Sequence, residues 1–191
     1  MNLTCPKKEA LLLDDKIAKL AKELLTDEQI KLADSLSQAM VSSKAKRTEA
    51  VMKLQKIVGM KPKRPMYYMN WELNYLPRWT RNSTKYLGDY IDLLVKIFVA
   101  DKLKDEKYKS VSLGANLKYM PNIMPEEIIT ALRTYNELIY VPAKHDFEVK
   151  NRRHRFTCRE VVYACLITME LGKRIIPLSQ KVKDWTEDKR N

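Results

Sequence analysis

Glycine is scarce in this chain, with four among 191 residues, and proline contributes only eight. Sandwiches and barrels need a tight turn about every eight to twelve residues and draw on both residue types to make them. A sheet-rich fold is therefore excluded. Cysteine is confined to Cys5, Cys158 and Cys165, an odd number with no CxxC pair, and only two histidines accompany it. That leaves neither a disulfide framework nor a zinc ligand set, so no metal is expected and a reducing, cytoplasmic setting fits best. Long apolar runs are missing as well. Ala10 to Leu13 is cut off by Asp14 before it could serve as a signal-peptide core. Ile91 to Ala100 is interrupted by Asp92 and Lys96 and falls far short of a membrane span, so no membrane partner is expected. No GxxxxGK[ST], GxGxxG or GxSxG pattern occurs, and no cofactor is expected.

What remains is helical periodicity. Leu13, Ile17, Leu20 and Leu24 recur at spacings of four, three and four, predicting a first helix from Lys8 to Leu25. Thr26-Asp27-Glu28-Gln29 then forms a capping box flanked by Leu25 and Ile30 at the staple positions, so a second helix starts at Asp27 and carries Ile30, Ala33, Leu36 and Met40. Ser42 and Ser43 break that pattern. A third helix with Val51, Leu54 and Ile57 or Val58 follows, and Gly59 is placed to end it. The narrow stripes of these three helices suit docking either on the rest of the chain or on a second copy.

The expected architecture is an all-α bundle with an N-terminal helical appendage. Residues 1–60 form the appendage and residues 61–65 a basic, proline-containing linker. Residues 66–191 form the bundle, clearest from Met66 to Ile176, with a polar tail that either frays or docks. The stretch MKPKRP from Met60 to Pro65 reads as an extended connector, or as a basic contact strand through Lys61, Lys63 and Arg64. Tyr67, Tyr68, Trp71, Tyr75 and Trp79 follow it, as anchors of the junction or as base-stacking rings.

Within the bundle, a long helix from Thr80 to Lys104 buries Leu87, Ile91, Leu94, Phe98 and Leu103. A short element spans Ser112 to Met120. Pro125 then stands at a first helical position, with Glu126 and Glu127 in the first turn, and Pro142 is expected to stop that helix. A second capping box, Thr157-Cys158-Arg159-Glu160, is stapled by Phe156 and Val161 and opens the last clear helix, which Pro177 ends. Cys158 and Cys165 share a face of it and read as small core residues. The acid pairs Asp14-Asp15 and Glu126-Glu127 stand at helix starts, where capping explains them.

The net charge is +12, a field that favours polyanions or acidic protein surfaces unless it only solvates helix faces. Clustering is sharpest from Val149 to Arg159, where Lys150, Arg152, Arg153, Arg155 and Arg159 occur without an acid. Lys144, His145 and His154 lie in or beside the same stretch, and the helix start at Thr157 adds a positive dipole end. A phosphate backbone is the natural ligand of such a set. The alternative is a basic loop paired with surface carboxylates. His145, beside Lys144 and near Arg152 and Arg153, is the candidate acid–base residue of a metal-independent ribonuclease.

The order of elements from about Trp71 to Ile176 resembles the HEPN-like helical domains. It runs through the Thr80–Lys104 helix, Ser112-Leu113-Gly114, a helix through Tyr135-Asn136 and the closing helix from Thr157. The resemblance implies a four- or five-helix bundle of the kind found in RNA-targeting and defence systems. Active members carry an arginine, four to six residues and a histidine on one helix. Here Arg133 lies too far before His145, and Arg152 and Arg153 lie too close to His154, so Asn136 and His145 are the nearest counterparts. Three readings follow. The leading one is a non-enzymatic basic module that binds nucleic acid, RNA favoured, or an acidic partner through residues 144–159. The alternatives are a HEPN-like metal-independent ribonuclease and a structural protein self-associating through its N-terminal helices.

Overall fold

The computed structural model describes residues 8–58, 76–144 and 156–190, and among them every regular element is a helix. The all-α expectation holds. The expectations for Gly59, for the Met60–Pro65 stretch and for the aromatic group Tyr67 to Tyr75 lie outside the described residues.

A single 3-10 turn at Glu9–Leu11 precedes α1 (Asp15–Leu24). The start expected at Lys8 is therefore late by half a helix. Asp14 adopts extended backbone, and its carboxylate accepts the amides of Lys16 and Ile17 at 2.9 and 3.3 Å, which makes Asp14 the N-cap. The Thr26 box forms as read: Gln29 N–H donates to the Thr26 hydroxyl, and the Gln29 side chain accepts the Thr26 N–H at 2.8 Å, opening α2 (Asp27–Val41). After the break at Ser42, α3 runs Lys44–Val58.

The long helix α4 covers Leu76–Leu103, about 42 Å at 1.5 Å per residue, and begins a turn before the expected Thr80. It closes on Lys104 in the left-handed region, φ 55°, with the Asp105 amide returning to the Ala100 carbonyl. The short α5 is Leu113–Asn116. Helix α6 is Glu126–Tyr135, with Pro125 one position outside it as the N-cap residue.

Pro142 does not stop the helix. The run passes through a π turn at Asn136–Tyr140 into α7 (Val141–Lys144), with Val141 N–H reaching back five residues to the Asn136 carbonyl. The wider turn removes the conflict between proline's ring and a carbonyl four residues back, which is what ordinarily breaks a helix at proline. Helix α8 spans Cys158–Ile175, a 3-10 turn at Ile176–Leu178 carries Pro177, and α9 is Gln180–Arg190.

Helix α8 is the centre of the molecule. It packs against α1, α2, α3, α4 and α6, and buries Val161, Val162, Cys165, Leu166 and Leu171 among others. A helix apolar around most of its circumference must be wrapped in this way. The stripes of the N-terminal helices, Ile17, Leu20 and Leu24 of α1 with Ala33, Leu36 and Met40 of α2, are buried in the same core. Of the two docking partners open to them, the rest of the chain takes them. The C-terminal tail docks as well: Val182 is buried, Trp185 meets the Tyr90 ring, and the Ser179 hydroxyl donates to Asp101 at 2.8 Å. No helix among the described residues is long and apolar enough to cross a membrane.

Candidate functional site

The basic segment between α7 and α8 has two described ends, and the bundle fastens both. At the α8 end, the Thr157 box forms as the sequence predicts. Its hydroxyl accepts the Glu160 amide at 3.1 Å, and Glu160 accepts the Thr157 N–H at 2.8 Å. Glu160 is buried, and its other carboxylate oxygen accepts the Asp14 N–H at 3.3 Å. One carboxylate thus joins the starts of α8 and α1. The positive end of α8, offered by the sequence to a phosphate, is occupied by the chain's own Glu160.

Arg159 is also engaged. Its Nη2 pairs with Asp34 of α2 at 2.8 Å, its guanidinium lies 5.6 Å from the Tyr163 ring centroid, and Tyr163 donates to the same Asp34 oxygen at 2.7 Å. The Thr157 hydroxyl donates to the Leu12 carbonyl, so the first turn of α8 is tied to both the entry segment and α2. Burial, followed by the Asp34 contact, holds the Tyr163 hydroxyl above its ordinary range and keeps its proton in place. Arg159 is thus paired with a carboxylate of α2.

The other end is Lys144. Its ammonium donates to the Tyr140 hydroxyl at 3.2 Å and lies 5.1 Å from the centroid of that ring. The Tyr140 hydroxyl donates in turn to Asp92 Oδ2 at 3.2 Å, and Lys96 pairs with the same oxygen at 2.8 Å. Asp92 is 6% exposed, and its Oδ1 is buried with no hydrogen-bond partner. An oxygen in that position carries an uncompensated desolvation cost. Burial first, then the neighbouring charges of Asp92 and Asp89, pushes the Tyr140 hydroxyl well above the usual phenol range. It therefore stays protonated at neutral pH and can serve as a hydrogen-bond donor but not as a base.

Two backbone features bring this cluster together. The π turn sets the rotation of Tyr140, and π turns recur at functional sites. Gly88 lets the ring lie directly on α4, because a Cβ at that position would stand 2.2 Å from Tyr140 Cδ2. The sequence reading noticed Asp92 and Lys96 only as interruptions of an apolar run. The missed signal was a carboxylate on the buried face of α4, one turn after a glycine, which called for a partner from elsewhere in the chain.

Of the sequence-predicted residues, Lys144 and Arg159 are described, and they hold different partners on different helices. Lys150, Arg152, Arg153, His154, Arg155 and the catalytic candidate His145 lie outside the described residues. Among the described residues, no group of three or more His, Cys, Asp or Glu side chains could hold a metal ion. No family model matches the chain, and neither does any curated protein or solved structure.

Proposed function

We propose that this chain is a non-enzymatic helical module that binds a polyanion, RNA in the first instance, through the basic segment between α7 and α8. The observation that carries this reading is a run of cations, acid-free from Val149 onward, in a segment whose two ends are anchored. Lys144 is held by Tyr140 and Asp92 on one side, and Thr157 by Glu160 and Leu12 on the other. Fixed ends lower the entropy lost when a loop is ordered on a ligand. Arginine forks suit phosphate oxygens, and the net charge of +12 favours encounter with any polyanion.

The contacts assigned are Lys144, Lys150, Arg152, Arg153, His154 and Arg155. Arg159, engaged with Asp34, is assigned to holding the segment rather than to contacting phosphate. The element order that resembles HEPN-like domains favours RNA over other polyanions within this reading. Photocrosslinking to a uridine-rich RNA, followed by peptide mapping, tests it. Crosslinks are expected on peptides covering residues 144–155, and crosslinks confined to other helices would reject the assignment. RNA shortened during incubation, and spared by His145→Ala, would replace the module with the ribonuclease alternative.

A further inference from the structure

We infer that Tyr140 and Asp92 are positioning residues for polyanion binding, a relay that holds the Lys144 ammonium ready for a phosphate at the edge of the basic segment. The inference rests on the function proposed above and adds residues from α4 and the π turn that lie outside the basic segment.

The argument is one of donors and acceptors. A phenol hydroxyl has one proton and two lone pairs. Tyr140 spends the proton on Asp92 Oδ2, so only lone pairs remain for Lys144, whose ammonium carries donors alone. The direction of both bonds is thereby fixed. Asp92 cannot turn away, because Lys96 grips the same oxygen from one helical turn along α4. The ring is closed off on one side by Gly88, against which it lies. Lysine ordinarily loses about as much side-chain freedom on ordering as any residue, and here much of that loss is incurred before a ligand arrives. Two of its three ammonium protons remain for phosphate oxygens, and the Lys144 side chain stays exposed to receive them. The cluster also retains a buried, unpartnered Asp92 Oδ1, an arrangement that costs stability and that an apolar residue would have avoided.

The experiment measures affinity for a labelled single-stranded RNA across a salt series. It compares wild type, Tyr140→Phe, Asp92→Asn, Lys144→Gln and the two double variants with Lys144→Gln, with Arg152, Arg153 and Arg155→Ala alongside. Tyr140→Phe and Asp92→Asn should each weaken binding about two- to tenfold, the equivalent of ordering one flexible side chain. Both should leave the salt slope near the wild-type value, since no charge facing the RNA is lost. In the Lys144→Gln background the same substitutions should change nothing further. A purely structural Tyr140 would weaken binding equally with and without Lys144, and that outcome overturns the relay while leaving the proposed function standing if the arginine variant loses affinity. Wild type that fails to bind at low salt removes both. Melting curves identify any variant that unfolds; if Tyr140→Phe does, the Asp92→Asn cycle decides in its place.

Discussion

At Gly88 a missing side chain allows α4 and the π turn to meet. Alanine is favoured over glycine in a helix by about 1 kcal/mol, so on propensity alone Gly88→Ala would stabilise α4. The new Cβ would stand 2.2 Å from the Tyr140 ring, whose hydroxyl is held by Asp92 and whose face is covered by Lys144. Overpacking of this kind costs about 1–3 kcal/mol and should win. A net loss is expected in denaturant unfolding, and a stabilised variant would show that the ring is free to move. Cys165 makes a second residue-scale case. Burial pushes its thiol up from 9.0 to about 12. The folded state therefore holds a proton that the unfolded chain releases above pH 9. This stabilisation is fully present below pH 9 and declines by about 1.4 kcal/mol per pH unit as pH rises toward 12. Cys165→Ala should show a shallower alkaline loss of stability than wild type, and parallel curves would contradict the assignment.

The two capping boxes were the most legible features, because each is a local object. Thr26 and Gln29, or Thr157 and Glu160, need only each other, and both boxes form as their spacing predicts. The two differ in what else they touch. Thr26→Ala should cost about 1 kcal/mol, the ordinary value of a cap. Thr157→Ala also removes the hydroxyl bond to the Leu12 carbonyl and loosens the Glu160 carboxylate that joins α8 to Asp14, so a loss nearer 2 kcal/mol is expected. Equal midpoint shifts in thermal melts would deny the tertiary role. The Leu13 stripe drew the first helix back to Lys8, although the capping read at Asp14-Asp15 marks the start that forms, with Asp14 in extended backbone as the N-cap. The other misread elements depended on information the local pattern does not hold. Pro142 read as a stop because the π turn that accommodates it leaves no mark in a pattern of period 3.6. The Asp92–Tyr140 contact joins residues 48 apart on different helices, and only folding brings them together.

On the scale of the whole molecule, the charge of +12 is the broadest feature and the least specific. What gives it direction is the sorting of its members. Arg159 pairs with Asp34, Arg174 reaches the Leu24 carbonyl at the end of α1, and Lys96 pairs with Asp92. The two arginines hold helices together, while Lys96 pairs within its own helix, α4. The sequence reading assigned Lys144, Lys150, Arg152, Arg153, His154, Arg155 and Arg159 alike to a polyanion, and of these the described residues include Lys144 and Arg159. The most direct test is RNA affinity against salt concentration for wild type, for the variant with Arg152, Arg153 and Arg155 all changed to Ala, and for Arg159→Gln. Each phosphate contact on a single strand contributes about 0.7 to the slope of log affinity against log salt. The triple variant should therefore lose about 2 from the slope, while Arg159→Gln keeps the slope and melts at a lower temperature. Slopes that coincide for wild type and the triple variant, or no binding at low salt, would contradict the account.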